Sequence, residues 1–258
     1  MAPTNLTHSP SAAARRVQLL TLAVLITGWE LLARSGLLYD GVVPPTLQVL
    51  TALWRELSSA SLYQHLGVTL AEILAGFVIA SVAGVIAGIA LGSRRFLAQM
   101  IDPFLSSLAT TPKIIFLPIV MLMFGIGPAS KVAVGALSGF FPIALSTMAG
   151  ALAVRPVLIN VGKAFHLNRW QMMTHIYLPS LVGPVIRGMR LGLGVTIIGV
   201  LLGEIKLANS GLGFLAIEYY NSFRIDHMYS ILLVIFALAI VINMLMNLVS
   251  RRHDRTSQ

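Results

Sequence analysis

The chain has 258 residues, of which 57% are hydrophobic and only 10% are charged, and its mean hydropathy is +0.85. Because soluble domains carry about 25% charged residues, this composition excludes a soluble globular protein and predicts an integral membrane protein. In such a protein the distribution of Lys and Arg is more informative than the net charge of +9. We therefore expect contact with membrane lipid and none with nucleic acid. The absence of cysteine excludes disulfides, thiolate metal sites and cysteine nucleophiles.

Apolar stretches of about 20 residues, such as 231–249, match the length of a helix that crosses a bilayer. A membrane barrel would instead show segments of about ten residues with alternating polarity. We therefore predict an all-α membrane protein with about six transmembrane helices. The expected spans are 17–33, 66–91, 101–124 with interruptions at Pro112 and Pro118, 131–152, 185–204 and 228–249.

Both ends of the chain are polar, and we expect them to be short tails, 1–16 and 251–258, outside a membrane domain of residues 17–250. The basic residues Arg15 and Arg16, followed by the apolar stretch 17–33, also resemble a signal peptide. The run is long for one, however, and no clear cleavage site with small residues follows it. We expect the first span to be retained.

Two patterns predict how the helices lie. After Pro44-Pro45, apolar residues recur at helical spacing, which predicts an amphipathic helix at the membrane surface; they are Leu47, Leu50, Leu53, Trp54 and Leu57. Glycines at four-residue spacings occur in the second span (Gly76, Gly84, Gly88 and Gly92) and in the fifth (Gly188, Gly192, Gly199 and Gly203). Such glycines let helices approach closely, either within the bundle or at a seam between two copies of the protein.

Lys and Arg are distributed unequally between alternate connectors. With the amino terminus inside, twelve lie on the inner side and four on the outer side. The inner set is Arg15, Arg16, Arg94, Arg95, Arg155, Lys163, Arg169, Arg187, Arg190, Arg251, Arg252 and Arg255, and the outer set is Arg34, Arg55, Lys206 and Arg224. Because cytoplasmic connectors carry the excess, both termini and the connector 153–184 are expected to be cytoplasmic. Lys113 and Lys131 belong to neither set.

The connector 153–184 has the pattern of two short amphipathic helices. Pro156 opens the first, which continues to about Phe165. Asn168 and Gln171 have capping-box spacing at the start of the second, which should end before Pro179. The connector is either a docking surface for a cytoplasmic partner, with Phe165 and Trp170 as aromatic anchors, or a hairpin that packs on its own bundle.

This connector also carries the motif of a known family. His166, nine further residues and Ile176-Tyr177-Leu178-Pro179 resemble the loop motif of ABC-importer permeases, in which Glu-Ala-Ala, three residues and Gly precede nine residues and Ile-x-Leu-Pro. Asn160-Val161-Gly162 occupies the position of the Glu-Ala-Ala triplet. Permeases of the nitrate, sulfonate and taurine branch often have other residues at that triplet. His166 stands at the Gly position, and His enters a left-handed turn less easily than Gly.

The resemblance extends over residues 43–250. The stretches 111–113 through 124–127, Phe141-Pro142, and Glu204 followed by Gly211-Leu212-Gly213 are similar to stretches of that branch in the same order. In the family, helices of the loop lie in clefts on two ATPase subunits. The loop residues that the resemblance assigns to this coupling are Asn160, Val161, Gly162, Ala164, Phe165, His166, Asn168, Trp170, Ile176, Leu178 and Pro179.

The resemblance further implies the partners and the location of the protein. It implies a multi-pass permease subunit of the bacterial inner membrane, without a cofactor, that forms the pathway for a small solute. The expected solute is an anion such as nitrate, a sulfonate or taurine, or a vitamin precursor. The expected partners are ATPase subunits in two copies, a second permease that is a copy of this chain, and a periplasmic or lipid-anchored solute-binding protein.

Lys113, Pro112, Pro118 and Glu204 are candidate pathway residues. An unpaired Lys within a span is costly, so Lys113 should face protein or water. It is a pathway cation for an anionic solute, a structural partner of Asp102 or Glu72, or a residue at a misplaced span boundary. Glu204, which resembles a Glu common in the family, is either a gate or interface residue or a plain interfacial carboxylate.

Other classes of protein fit the sequence less well. The chain lacks a P-loop, since Gly162-Lys163 is followed by Ala164 without the earlier glycine, so ATP hydrolysis must belong to another subunit. The alternative is a stand-alone secondary transporter or channel, but an ion-coupled transporter should have several mid-membrane carboxylates, and those here lie toward span ends. No His-Glu-x-x-His motif or similar cluster indicates a metal site or a membrane enzyme. The chain is therefore not expected to be an enzyme.

Overall fold

The computed structural model describes residues 12–37, 42–207 and 209–254, and these residues form helices and connecting turns without a strand. The α-helices are α1 (Ala12–Arg34), α2 (Thr46–Leu57), α3 (Ala60–Gly92), α4 (Arg95–Thr110), α5 (Leu117–Phe124), α6 (Pro128–Leu152), α7 (Pro156–Ala164), α8 (Arg169–Met172), α9 (Leu178–Leu207), α10 (Leu212–Asn221) and α11 (Ile225–Asp254). A 3₁₀ turn (Lys113–Phe116) precedes α5, and a π turn (Met173–Tyr177) joins α8 to α9. Residues 1–11 and 255–258 of the expected tails lie outside the described residues.

Five of the described helical segments are long and apolar enough to cross a membrane, and the pair formed by α4 and α5 makes a sixth span if it is counted as one. The chain bends by 89° at the break between α4 and the segment Lys113–Phe124, which contains the 3₁₀ turn and α5. Thr111 at the break is extended, because the ring of Pro112 disfavours helical conformation in the residue before it. Pro118, in contrast, lies in the first turn of α5, where a missing N–H costs nothing. The third predicted span is thus broken at Pro112 and not at Pro118.

Helix α6 forms the centre of the bundle, and both glycine patterns pack against it. A Cβ at Gly88 of α3 would lie 2.7 Å from the Ala144 carbonyl oxygen, and one at Gly192 of α9 would lie 3.0 Å from that of Gly139. All eight glycines of the two patterns meet α6 in this way. Packing within the bundle is therefore confirmed. The alternative of a seam between two copies along these glycines is wrong, because α6 already occupies that face.

The amphipathic helix predicted after Pro45 is present as α2. Its apolar face points outward, with Trp54 74% and Leu47 71% exposed. The opposite face, with Val49, Ala52 and Glu56, is buried. This arrangement is the one that an interfacial helix needs, since its apolar side is left for lipid.

One prediction about the connector is wrong. The second helix of the connector does not end before Pro179: the chain is helical from Arg169 through the π turn into α9. A local π turn re-satisfies the backbone groups that a proline in a membrane helix leaves free. Within the coupling loop expected at 153–184, residues 156–177 form a helical hairpin, here called the loop hairpin.

Candidate functional site

The first helix of the loop hairpin ends in a left-handed residue. His166 has a φ of +51°. The Leu167 N–H donates to the Gly162 carbonyl and the His166 N–H to that of Lys163, both at 3.0 Å, which is the Schellman pattern of a helix carboxyl terminus. His166 thus adopts the conformation for which the family motif has Gly.

The second helix of the loop hairpin begins with the predicted capping box. The Gln171 N–H donates to Asn168 Oδ1 at 2.8 Å, and the Asn168 N–H donates to Gln171 Oε1 at 2.9 Å. Gly162 lets the two helices meet, because a Cβ there would overlap Met172 Sδ and Ile176 Cδ1. The two ends of the motif, Gly162 and Ile176, are therefore in contact, and both are buried.

Most other residues of the motif are on the surface. Phe165 is 76% exposed and Trp170 is 75% exposed. The exposed set is Asn160, Val161, Ala164, Phe165, His166, Asn168, Trp170, Leu178 and Pro179. The loop hairpin does not use Phe165 or Trp170 to pack on its own bundle, so these two side chains are available to another molecule.

Substitution of His166 tests the role of its backbone conformation. We expect His166→Gly to leave the loop hairpin intact, because the relief of about 1 kcal/mol of left-handed strain offsets the added entropy of Gly in the unfolded chain. His166→Val should loosen it, because a β-branched residue fits this conformation poorly. Hydrogen exchange of the Leu167 amide measures both effects. Equal protection in the Val variant and the natural protein would contradict this expectation.

Lys113 lies at the break between α4 and α5. Its ammonium group donates to the carbonyl oxygens of Leu108, Ala109 and Thr111 at 2.7, 2.6 and 2.8 Å, so it caps the carboxyl end of α4. The alternative of a structural pair with Asp102 or Glu72 is therefore wrong. The cation also lies 5.1 Å from the centroid of the Phe141 ring.

A cavity of about 220 Å³ lies beside this cation. Lys113 and Pro112 line it together with Ser138 of α6 and Leu202 of α9, whereas Pro118 and Glu204 do not. The structure thus brings together two of the four candidate pathway residues and leaves the other two elsewhere.

Glu204 belongs to a buried charged cluster, and the interpretation as a plain interfacial carboxylate is wrong. It is 0% exposed and lies near Glu72 of α3 and Lys131 of α6. Lys131 Nζ lies 2.6 Å from Glu72 Oε1. A Lys in an apolar helix requires an acceptor, so the sequence indicated that Lys131 has one, but it did not indicate that the acceptor is Glu72.

The turn before α10 closes over this cluster. Glu204 accepts the Thr69 hydroxyl at 2.6 Å and the Gly213 N–H at 2.7 Å. Thr69 in turn accepts the Leu212 N–H at 2.8 Å. A Cβ at Gly211 would overlap the Glu204 carboxylate. This contact explains why Glu204 and the Gly211-Leu212-Gly213 sequence occur together.

A second buried polar cluster, which the sequence did not indicate, joins α2, α10 and α11. Glu56 Oε1 accepts the Tyr219 hydroxyl at 2.7 Å and lies 2.6 Å from His227 Nδ1. Burial raises the pKa of Tyr219, and its hydrogen bond to Glu56 adds to this effect. The cluster fixes the amphipathic helix α2 to the bundle.

The long apolar helices packed around α6 define a multi-pass membrane protein. Residues 80–256 match the model of the binding-protein-dependent transport system inner membrane component, and the chain belongs to that family. The predicted resemblance to importer permeases is thereby confirmed.

Individual relatives agree with this assignment. The chain is 32% identical over 200 residues to the taurine transport system permease protein TauC of Escherichia coli (strain K12), which covers 76% of this chain and 73% of TauC. It is 26% identical over 229 residues to the nitrate import permease protein NrtB of Synechocystis sp. (strain ATCC 27184 / PCC 6803 / Kazusa), which covers 85% of this chain and 81% of NrtB.

Solved structures show the same fold. The MetNI methionine ABC transporter in an inward-facing conformation aligns with a TM-score of 0.58 at 18% identity, over 80% of this chain and 96% of that chain. An amino acid ABC transporter with histidines aligns with a TM-score of 0.60 at 16% identity, over 80% of this chain and 97% of that chain. The protein is a multi-pass translocation subunit of an ABC importer, and such a subunit works with a separate ATPase and a solute-binding protein.

Proposed function

We propose that the loop hairpin is the surface through which the ATPase subunit drives this permease. The exposure of Phe165 and Trp170 carries this proposal, because large aromatic side chains are typical anchors of protein interfaces. The Schellman turn and the capping box hold the two helices of the hairpin in a fixed relation. A rigid hairpin can transmit a movement of the ATPase to α9, with which its second helix is continuous.

The hairpin lies on the cytoplasmic side in this proposal, together with both termini. The twelve-to-four distribution of Lys and Arg supports that orientation. Residues 17–250 then form the membrane domain between two cytoplasmic tails, in the inner membrane of a bacterium. Two copies of the chain and two ATPase subunits complete the importer.

The solute in this proposal is small and carries an anionic group, with a vitamin precursor as the alternative. The relatives TauC and NrtB are named for taurine, which has a sulfonate group, and for nitrate, whereas another relative is named for riboflavin. Lys113 and Pro112 would contact the solute from the cavity, where the cation attracts an anion. Pro118 would shape the helix after the break. Glu204 is buried and would not contact the solute itself. It would act as a gate residue indirectly, by holding the turn before α10 in place.

The test is purification of the tagged permease in gentle detergent from its native membrane, followed by mass spectrometry of the proteins that accompany it. We expect a P-loop ATPase to co-purify, and the double substitution Phe165→Ala and Trp170→Ala to release it. Both side chains are about three-quarters exposed, so the stability of the permease should change by only about 0.5 kcal/mol.

Phe223→Ala is a matched control, because Phe223 is 88% exposed and lies in the turn between α10 and α11, away from the loop hairpin. This variant should keep the ATPase. If the double variant retained the ATPase at the same ratio of ATPase to permease as the natural protein, the proposed docking site would be disproved. Movement of solute by the chain alone in vesicles without ATP would contradict the importer function itself.

A further inference from the structure

The buried cluster of Glu72, Lys131 and Glu204 contains two acids and one base. The side chains of Lys131 and Glu72 are 2% and 4% exposed, and Glu204 is 0% exposed. If all three groups were ionised, the cluster would carry one uncompensated negative charge in a space closed off from water. A buried charge without a partner is far more costly than a neutral group.

The hydrogen-bond donors around the cluster are also unequally shared. Both Glu204 oxygens have a donor, from Thr69 and from Gly213. Glu72 Oε1 lies 2.6 Å from Lys131 Nζ as an ion pair, but neither Glu72 Oε1 nor the equally buried Oε2 has a hydrogen-bond donor aligned with it. A buried carboxylate oxygen needs a hydrogen-bond donor, because without a donor the loss of its hydration is not offset.

The position of Glu72 next to Glu204 offers such a donor. Thr69, one turn before Glu72 on α3, donates to Glu204. Lys131, which pairs with Glu72, packs against Gly203. The two carboxyl groups therefore lie in the same contact between α3, α6 and α9. When both are ionised they can only repel, but one proton between them converts this repulsion into a hydrogen bond. The same proton cancels the excess charge, because the remaining carboxylate balances Lys131.

We propose that Glu72 and Glu204 form a buried proton-binding site, in which Glu72 Oε2 carries one proton at neutral pH and donates it to the Glu204 carboxylate. The cluster is then electrically neutral. It joins α3, α6 and α9 to the turn before α10, so the bound proton holds that turn on the bundle. This site is separate from the loop hairpin and does not depend on its proposed docking role.

The other charged and titratable groups near the cluster do not replace this proton. His65 of α3 faces the same turn, but its Nδ1 accepts the Gly211 N–H at 3.0 Å, so this nitrogen carries no proton. Lys206 of α9 is exposed. Lys131 reaches the Ser210 carbonyl at 3.5 Å and Glu72 at 2.6 Å, so its single charge is already used within the cluster.

Infrared spectroscopy of the purified permease in lipid detects the proton directly. At neutral pH we expect a C=O stretching band of a protonated carboxylic acid, which is absent from ionised carboxylates. The band should disappear in Glu72→Gln and in Glu204→Gln, because each variant leaves one carboxylate that is ionised against Lys131. Glu218→Gln, which changes an exposed acid of α10, should keep the band.

Thermal unfolding provides a second measurement. The amide N–H of Glu72→Gln can replace the proposed O–H donor, so this variant should keep the natural melting temperature at neutral pH. Absence of the band from the natural protein at neutral pH would overturn the proposal without any variant. Persistence of the band in both Gln variants, or a large loss of melting temperature in Glu72→Gln, would also overturn it.

Discussion

Lys131→Met is expected to lower the stability of the permease by about 3–5 kcal/mol, because it leaves the single negative charge of the buried Glu72 and Glu204 pair without its cation. Lys131 is 1% exposed, and its ammonium group lies 2.6 Å from Glu72 Oε1. Methionine has a similar length and fills the space, so the loss reports on charge and not on a cavity. The measurement is the melting temperature of the purified protein in detergent or lipid.

Lys206→Met is the matched control for this substitution. Lys206 lies near the carboxyl end of α9 and is exposed, so its replacement should change the stability by no more than about 0.5 kcal/mol. If the two variants melted at similar temperatures, the pair of Lys131 with Glu72 would not stabilise the bundle.

Gly211→Ala should be the second strongly destabilising change, with a loss of about 3 kcal/mol or more. The backbone of Gly211 has φ +109° and ψ 165°, a region that is almost confined to glycine. An added Cβ would also overlap the Glu204 carboxylate and displace it from the Gly213 N–H. The two effects act together, since the turn can relieve neither without moving α10.

Gly36→Ala separates these two effects. Gly36 also has a positive φ, +65°, but a Cβ there would meet nothing within 4 Å. It should therefore lose only the backbone contribution of about 1–2 kcal/mol. Thermal unfolding of both variants checks the difference. Equal losses would mean that the contact between Glu204 and the turn contributes nothing beyond backbone strain.

The buried cluster gives a physical reason for one part of the family resemblance. Glu204 and the Gly211-Leu212-Gly213 sequence are separate stretches in the chain, but the Glu204 side chain accepts the Gly213 N–H and lies where a side chain at 211 would be. Glu204 and the turn therefore form one structural unit. A change in Glu204 should affect the position of α10 before it affects any solute.

The features that the sequence determined by itself are local ones. The length and polarity of the apolar stretches were enough to predict a helical membrane protein, because a bilayer accepts only backbone that satisfies its own hydrogen bonds. The capping box of Asn168 and Gln171 depends on side chains three residues apart, and it was confirmed. The spacing from residue 160 to Pro179 was enough to identify the family, which the comparisons confirmed.

Only the tertiary structure decided which polar groups meet. Lys131 pairs with Glu72, 59 residues away in the chain, while Lys113 uses nearby carbonyl groups, and no pattern in the sequence distinguishes these two lysines. The same holds for prolines: Pro112 breaks its span by 89°, whereas Pro179 lies in a continuous helix because the preceding π turn accommodates it. A proline limits the local backbone, but the packing of neighbouring helices decides whether the chain bends or continues.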